Sequence, residues 1–271
     1  MTATTPAPTR PMLRYHGGKW MLAPWIISHF PEHRIYCEPY GGAASVLLRK
    51  PRAYCEVYND LDGEIVSLFR IVRDRGNELL AKLAATPFAR DEYRLSFLPC
   101  EDPLEQARRT VIRSYMGFGS NSLCRQVKSG FRANSHRSGT TAAQDWKNFP
   151  EALPAIIERL RGVVIENREA EKIIAQHDSP QTLHYCDPSY IHATRTQWAG
   201  HGARSGYTHE MSDAAHRLMA EQVRALKGKV IVSGYPSELY DRELFAGWRR
   251  VKRKALADGA RKRTEVLWMN F

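Results

Sequence analysis

Short apolar runs separated by helical periodicity constrain this chain more than any other feature. Residues 34–38, 53–60, 162–166, 182–187 and 229–234 cluster Val, Ile, Tyr and Cys and read as strands. Helical patterns follow at 43–50, 61–74, 168–176 and 211–226. Alternation of this kind builds an α/β fold, a mostly parallel sheet with helices on both faces. Two closing strands are expected in 248–256 and 264–271, joined by a turn at 257–262. From 75 to 159 the rhythm changes. Leu79, Leu80 and Leu83 sit at helical spacing, as do Leu104, Ala107, Val111 and Ile112, and a Gly/Ser/Asn-rich stretch runs from Gly117 to Gly139. This segment is expected to be a mainly helical insertion carrying an irregular hairpin. Residues 1–11, rich in Thr, Pro and Ala, are expected to form a flexible arm.

Composition narrows the partners. The chain is 43% hydrophobic and 25% charged, which excludes a largely disordered polypeptide, and its formal charge of +11 points to a polyanion. No apolar run approaches the roughly 18 residues of a membrane span, so no membrane partner is expected. Cys37, Cys55, Cys100, Cys124 and Cys186 lack CxxC spacing and read as reduced thiols of a cytoplasmic protein.

Two constellations carry chemistry. The first expected strand ends in Glu38-Pro39-Tyr40-Gly41-Gly42-Ala43-Ala44-Ser45, where paired glycines let a ligand approach the backbone ahead of a helix N-terminus. The second strand ends at Asn59-Asp60, the place where such sheets hold a ribose diol. Upstream, Tyr15-His16-Gly17-Gly18-Lys19 supplies another glycine turn with a cation. Taken singly, a Gly-Gly turn is a tight corner and Asp60 is a helix N-cap.

The second constellation is Asp187-Pro188-Ser189-Tyr190, at the carboxyl end of the fourth strand. Pro188 keeps Asp187 out of helix and can aim the Asp187 carboxylate and the Pro188 carbonyl into one space beside Tyr190. Two acceptors and a flat ring suit a planar group bearing NH₂. In isolation the same residues make an ordinary turn after a strand.

In order and spacing, these motifs resemble those of the Dam-like (D12, alpha-class) N6-adenine DNA methyltransferases. The resemblance rests on Tyr15 to Lys19, Glu38 to Gly42, Asn59-Asp60-Leu61-Asp62 and Asp187 to Tyr190. Asn121-Ser122-Leu123-Cys124-Arg125 is similar to that family's DNA-reading hairpin, and Met211 to His216 and Arg263 to Trp268 are similar to phage and bacterial members. Ser189 stands where the family usually has a second proline.

The resemblance implies a Rossmann-like S-adenosylmethionine-dependent methyltransferase sheet in 12–74 and 160–271, with 75–159 as a target-recognition insertion. It implies transfer of methyl to N6 of an adenine flipped out of double-stranded DNA, by a monomer that needs no metal. Asp187, Pro188, Ser189 and Tyr190 match its catalytic positions. Tyr15, Gly18, Lys19, Glu38, Pro39, Tyr40, Gly41, Gly42, Ser45 and Asp187 match its cofactor-binding positions, Asp60 the ribose acid, and Glu169 an acid near the cofactor's adenine.

Asn121, Arg125, Lys128, Arg132 and Arg137 are the DNA-binding candidates. They lie in a stretch, 106–144, that holds seven Lys/Arg and no Asp or Glu. Phe131 is expected to pack the hairpin. A second basic cluster at 249–263 reads equally as DNA contact or as protection of an edge strand. The Gly-rich segment 198–207 is expected to close over the flipped base. His184 and His192 are expected to be structural. RNA or protein-amide methylation on the same fold, and a non-catalytic DNA-binding relative, are the alternatives.

Overall fold

The computed structural model describes residues 7–123, 129–134, 136, 139–194, 208–257 and 261–271. Its strands are β1 (Ile35–Glu38), β2 (Cys55–Asn59), β3 (Val163–Glu166), β4 (Thr182–Cys186), β5 (Lys229–Gly234), β6 (Arg249–Ala257) and β7 (Arg261–Met269). They form one seven-stranded sheet in the order β3-β2-β1-β4-β5-β7-β6. β1 to β5 are mutually parallel, and β7 runs antiparallel between β5 and β6. Each expected strand falls within three residues of its observed bounds.

The helices are α1 (Ala23–Ile27), α2 (Ser45–Arg49), α3 (Gly63–Asp74), α4 (Gly76–Ala84), α5 (Arg90–Leu95), α6 (Pro103–Met116), α7 (Ala142–Lys147), α8 (Leu153–Leu160), α9 (Ala170–Gln176) and α10 (Asp213–Arg224). α1 has no counterpart in the sequence pattern, because five residues with Pro24 second are too short to show a period. A π-helical turn at Leu239–Leu244 was likewise not legible.

Period-two alternation splits the sheet into two apolar faces, as buried parallel strands require. Tyr36, Tyr58, Leu183, Tyr185, Ile231, Leu267 and Met269 face one core, shared with α1 to α4, α6 and α8. Cys186, Val230, Val232, Val266 and Trp268 face the other, against α9, α10 and the π-helical turn.

The helices of 75–159 do not stand apart from this sheet. Leu79, Val111, Ile112 and Ile156 are fully buried in the first core. Arg159 on α8 reaches back to Glu56 on β2, with two nitrogen–oxygen distances of 2.6 and 2.8 Å. The hairpin is anchored at its root, where Gly117 pairs antiparallel with Phe131 and Phe118 N–H donates to the Gly130 carbonyl. The arm expected at 1–11 is not loose at its end. Arg10 pairs with Asp145 at 2.7 Å and lies over the Tyr115 and Phe149 rings, because a cation between two aromatic faces and a carboxylate is held on three sides.

Candidate active site

The parallel strands all end at one edge of the sheet, and a cleft opens there. The turn after β1 forms its floor. Gly41 N–H donates to the Asn59 carbonyl, and the Tyr58 hydroxyl donates to the Gly42 carbonyl. A Cβ on Gly41 would stand 2.2 Å from the Tyr58 ring, so only glycine fits. Gly42 adopts φ +46° against the Tyr15 ring, and Ala44 follows at φ +52° before α2 begins.

Asn59, fully buried, staples three strand ends together. Its amide donates to the Pro39 and Arg168 carbonyls and accepts from Arg168 N–H, each at 2.9 Å. Asp60 is not a helix cap. Asp62 caps α3 through the Glu64 and Ile65 N–H groups, which leaves Asp60 to accept from Gly42 N–H and Asp62 N–H, both at 2.8 Å. Burial raises the Asp60 pKa, opposed by those two N–H bonds. Each of its oxygens keeps a lone pair that these bonds do not use, and the residue lines the cleft.

Glu38 ends β1 beneath this turn. It accepts from the Tyr36 hydroxyl at 2.7 Å and from Leu47 N–H at 3.1 Å. Burial pushes its carboxyl up to about 8, and neighbouring Asp187 adds to the rise. Two hydroxyls on the cleft wall, Ser45 Oγ and Tyr40 OH, are buried without a hydrogen-bond partner among the described residues. Buried polar atoms of this kind are normally satisfied, so the wall is built for a polar ligand. A nucleoside-bearing cofactor with a polar tail fits this donor and acceptor set.

The opposite wall is the Asp187-Pro188-Ser189-Tyr190 corner. Lys19 Nζ lies 3.0 Å from one Asp187 oxygen, and the Ser233 hydroxyl donates to the other at 2.7 Å. A carboxylate offers about four lone pairs, so two remain for an incoming amine. Ser189 Oγ accepts from Met211 N–H at 2.9 Å, which ties the corner to residues 208–211 on the cleft rim. The Pro188 and Tyr190 side chains do not line the cleft. Tyr190 stands behind it, with Lys19 Nζ 4.7 Å from its ring centroid and Tyr235 edge-on at 4.6 Å.

Glu265 on β7 completes the corner. It accepts the Tyr190 hydroxyl and lies 3.9 Å from Lys19 Nζ. Burial raises its pKa to about 7, opposed by Lys19 and reinforced by Asp187. Sequence reasoning missed it. The available signal was its strand parity, since Glu265 shares the inward face with Leu267 and Met269.

Tyr15, Gly18, Lys19, Glu38, Pro39, Tyr40, Gly41, Gly42, Ser45, Asp60, Asp187 and Ser189 therefore meet at one cleft. Glu169 does not. Its exposed carboxylate pairs with Lys172 at 2.7 Å, and Ala170 faces the cleft instead.

The DNA-binding candidates divide. Arg132 is held inward, its guanidinium donating to the Tyr115 carbonyl at 2.9 Å and lying 4.0 Å from Asp145. Three more cations of the basic stretch are neutralised at home, Arg108 by Glu92 and Glu105, Arg109 by Glu105, and buried Arg113 by Glu64. Phe131 packs against Phe88 and Tyr93. The side chain of Asn121, residues Arg125, Lys128 and Arg137, and the segment 198–207 lie outside the described residues. Among the described residues His184 is buried 3.5 Å from Asp178, and no group of three or more His, Cys, Asp or Glu is placed to hold a metal. No described helix is long and apolar enough to cross a membrane.

The glycine turn and the Asp-Pro-Ser-Tyr corner lie within a stretch that a family model matches along most of the chain. The protein belongs to the D12 class of N6 adenine-specific DNA methyltransferases, whose family model covers residues 15–255. Its relatives include the DNA adenine methylase of Salmonella typhi, 27% identical over 80% of this chain and 79% of that one. The DNA adenine methylase of Haemophilus influenzae is 24% identical over 95% and 91% of the two chains. That of Vibrio cholerae is 25% identical over 88% and 85%.

Proposed function

We propose that this adenine-specific DNA methyltransferase moves the methyl of S-adenosylmethionine to N6 of an adenine rotated out of duplex DNA, and that it does so at the cleft between Glu38 and Asp187. The observation that carries the reading is the Asp187 carboxylate, held by Lys19 and Ser233 on the wall facing the Gly41-Gly42 turn. Residues of that turn, with Tyr40, Ser45 and Asp60, would hold the cofactor. Its sulfonium supplies an electrophilic methyl, so the chemistry requires no metal.

The chain's own residues then act on the amine. An adenine N6 lone pair is delocalised into the ring and is a poor nucleophile. Asp187 and the Pro188 carbonyl accept its hydrogens, which favours a pyramidal nitrogen and stabilises the positive charge that develops on attack. Lys19 and Ser233 fix the carboxylate's direction in advance. Tyr190, braced by Glu265, backs the corner from behind and carries Lys19 over its ring. A duplex must release the base before this corner can receive it. The segment 75–159 is read as the target-recognition part, its hairpin root anchored on α6.

The test is incubation of the purified chain with labelled S-adenosylmethionine and unmethylated duplex DNA, RNA or protein. Label recovered as N6-methyladenine in DNA supports the proposal. Label in RNA or a protein amide, or tight DNA binding without transfer, overturns it.

A further inference from the structure

The carboxyl edge of the sheet carries a feature that the active-site cleft does not use. β5 pairs with β7 only from Val266 to Met269, and Gly234, the end of β5, lies opposite Val266. β6 and β7 continue to pair as far as Ala257 and Arg261. Their distal part is therefore a two-stranded overhang that extends beyond the end of β5. At about 3.3 Å per residue, the run from Glu265 to Arg261 carries it roughly 10 Å or more outward.

The direction of this overhang is set by the catalytic corner. Glu265 at its root accepts the Tyr190 hydroxyl, and the Arg263 guanidinium lies 6.0 Å from the Tyr235 ring that abuts Tyr190. The overhang thus rises beside the cleft mouth.

Its charge is one-sided. Residues 249–264 carry Arg249, Arg250, Lys252, Arg253, Lys254, Arg261, Lys262 and Arg263, against the single acid Asp258. Arg250 is paired with Asp241 at 2.7 Å. Among the described residues, no carboxylate lies within ion-pair distance of Lys252, Arg253, Lys254 or Lys262, all exposed. The cations of α6 contrast with these, because each has its own acid. Protection of an edge strand accounts for charge on β6. Distal β7 has no neighbour but β6 and is an edge as well, so it is the place of these cations beside the cleft, and not their charge alone, that favours binding.

We propose that the β6–β7 overhang is a phosphate-binding rail that grips the duplex backbone beside the flipped adenine. It is separate from the hairpin of 117–139 and independent of base sequence. The inference rests on the reading of the cleft as the adenine site. Cations against phosphates release condensed counterions, so the rail adds affinity that weakens with salt.

The experiment compares the full chain with the triple variant Arg253→Gln, Lys254→Gln, Lys262→Gln. A control variant, Arg34→Gln, Arg52→Gln, Arg161→Gln, removes three cations that precede β1, β2 and β3 at the opposite end of the sheet. Binding to a short mixed-sequence duplex is followed by fluorescence anisotropy across a salt series, with S-adenosylmethionine binding measured by calorimetry. The rail variant is expected to bind duplex about tenfold or more weakly. Its log affinity should fall less steeply with log salt, the slope shrinking by about 1 for each phosphate that the variant no longer neutralises, while cofactor binding holds. The control should keep the parent's slope. Equal slopes for all three proteins, or equal losses in both variants, overturn the rail while leaving methylation by the parent chain as a separate result. Failure of the parent to bind duplex overturns both readings.

Discussion

Lys19 Nζ stands 3.0 Å from the Asp187 carboxylate and so joins the glycine turn before α1 to the corner after β4. The pair is mostly buried, and it fixes an acceptor that a side chain alone would leave to rotate. Replacing Asp187 with Asn keeps the size of the group and removes the charge, and is expected to lower kcat about 10²- to 10³-fold. Lys19→Met leaves Asp187 in place but lets it swing, with an expected loss of about 10²-fold, chiefly in kcat. Steady-state kinetics on a methylatable duplex check both.

Ser189 has a structural duty in the corner. Its hydroxyl holds Met211 N–H at 2.9 Å. Ser189→Ala is expected to loosen residues 208–211 on the cleft rim and weaken cofactor binding several-fold, a loss of about 1 kcal/mol. Calorimetric titration with S-adenosylmethionine measures it. Ser189→Pro is expected to lose the same bond.

Gly41 tolerates no side chain. A methyl there would meet the Tyr58 ring at 2.2 Å. Gly41→Ala is expected to displace the turn and abolish cofactor binding, at a stability cost of about 1–3 kcal/mol. Denaturant unfolding, read beside the titration, separates the two effects.

Stability without cofactor depends on pH through Glu38. Burial lifts its carboxyl from an ordinary value near 4.5 to about 8. A raised carboxyl pKa means the folded chain holds the proton more tightly than the unfolded chain. Stability is therefore greatest below the ordinary value and falls as pH rises toward 8. Glu265, raised to about 7, acts in the same direction. Thermal unfolding between those limits should show this decline, and Glu38→Gln should flatten it.

Glu265 is expected to appear in the pH–rate profile. Its ionised form accepts the Tyr190 hydroxyl and faces Lys19 and Asp187, so kcat should rise as pH passes through about 7. Glu265→Gln, neutral at every pH, should hold the lower rate of the protonated form and lose that inflection. Glu265→Ala should lose both the inflection and the activity.

The strands and both principal motifs were legible because they depend on local pattern. Apolar runs mark strands, and the glycines at 41 and 42 mark the turn whatever packs around them. Glu265 was not legible, because its role depends on β7 entering the sheet antiparallel beside β5. That is a tertiary choice, with no signature in residues 261–269 beyond parity. Part of the charge in the basic stretch at 106–144 is engaged internally, which was not legible for a related reason. Arg108 and Arg113 carry charge in the sequence, but their neutralising acids Glu92 and Glu64 come from other helices. Glu169 sat at the right point in the chain, but Lys172, one helical turn on, draws its carboxylate outward.

β7 is the last strand in sequence, yet it lies inside the sheet with β5 on one flank and β6 on the other. During synthesis the corner is accordingly completed only after β7 has emerged. A nascent polypeptide that has emerged only as far as residue 260 already contains the glycine turn and Asp-Pro-Ser-Tyr. It still has no Glu265 to brace Tyr190, and one edge of the parallel strands is uncovered. The corner acquires its working geometry only when β7 seats between β5 and β6 and brings Glu265 against Tyr190.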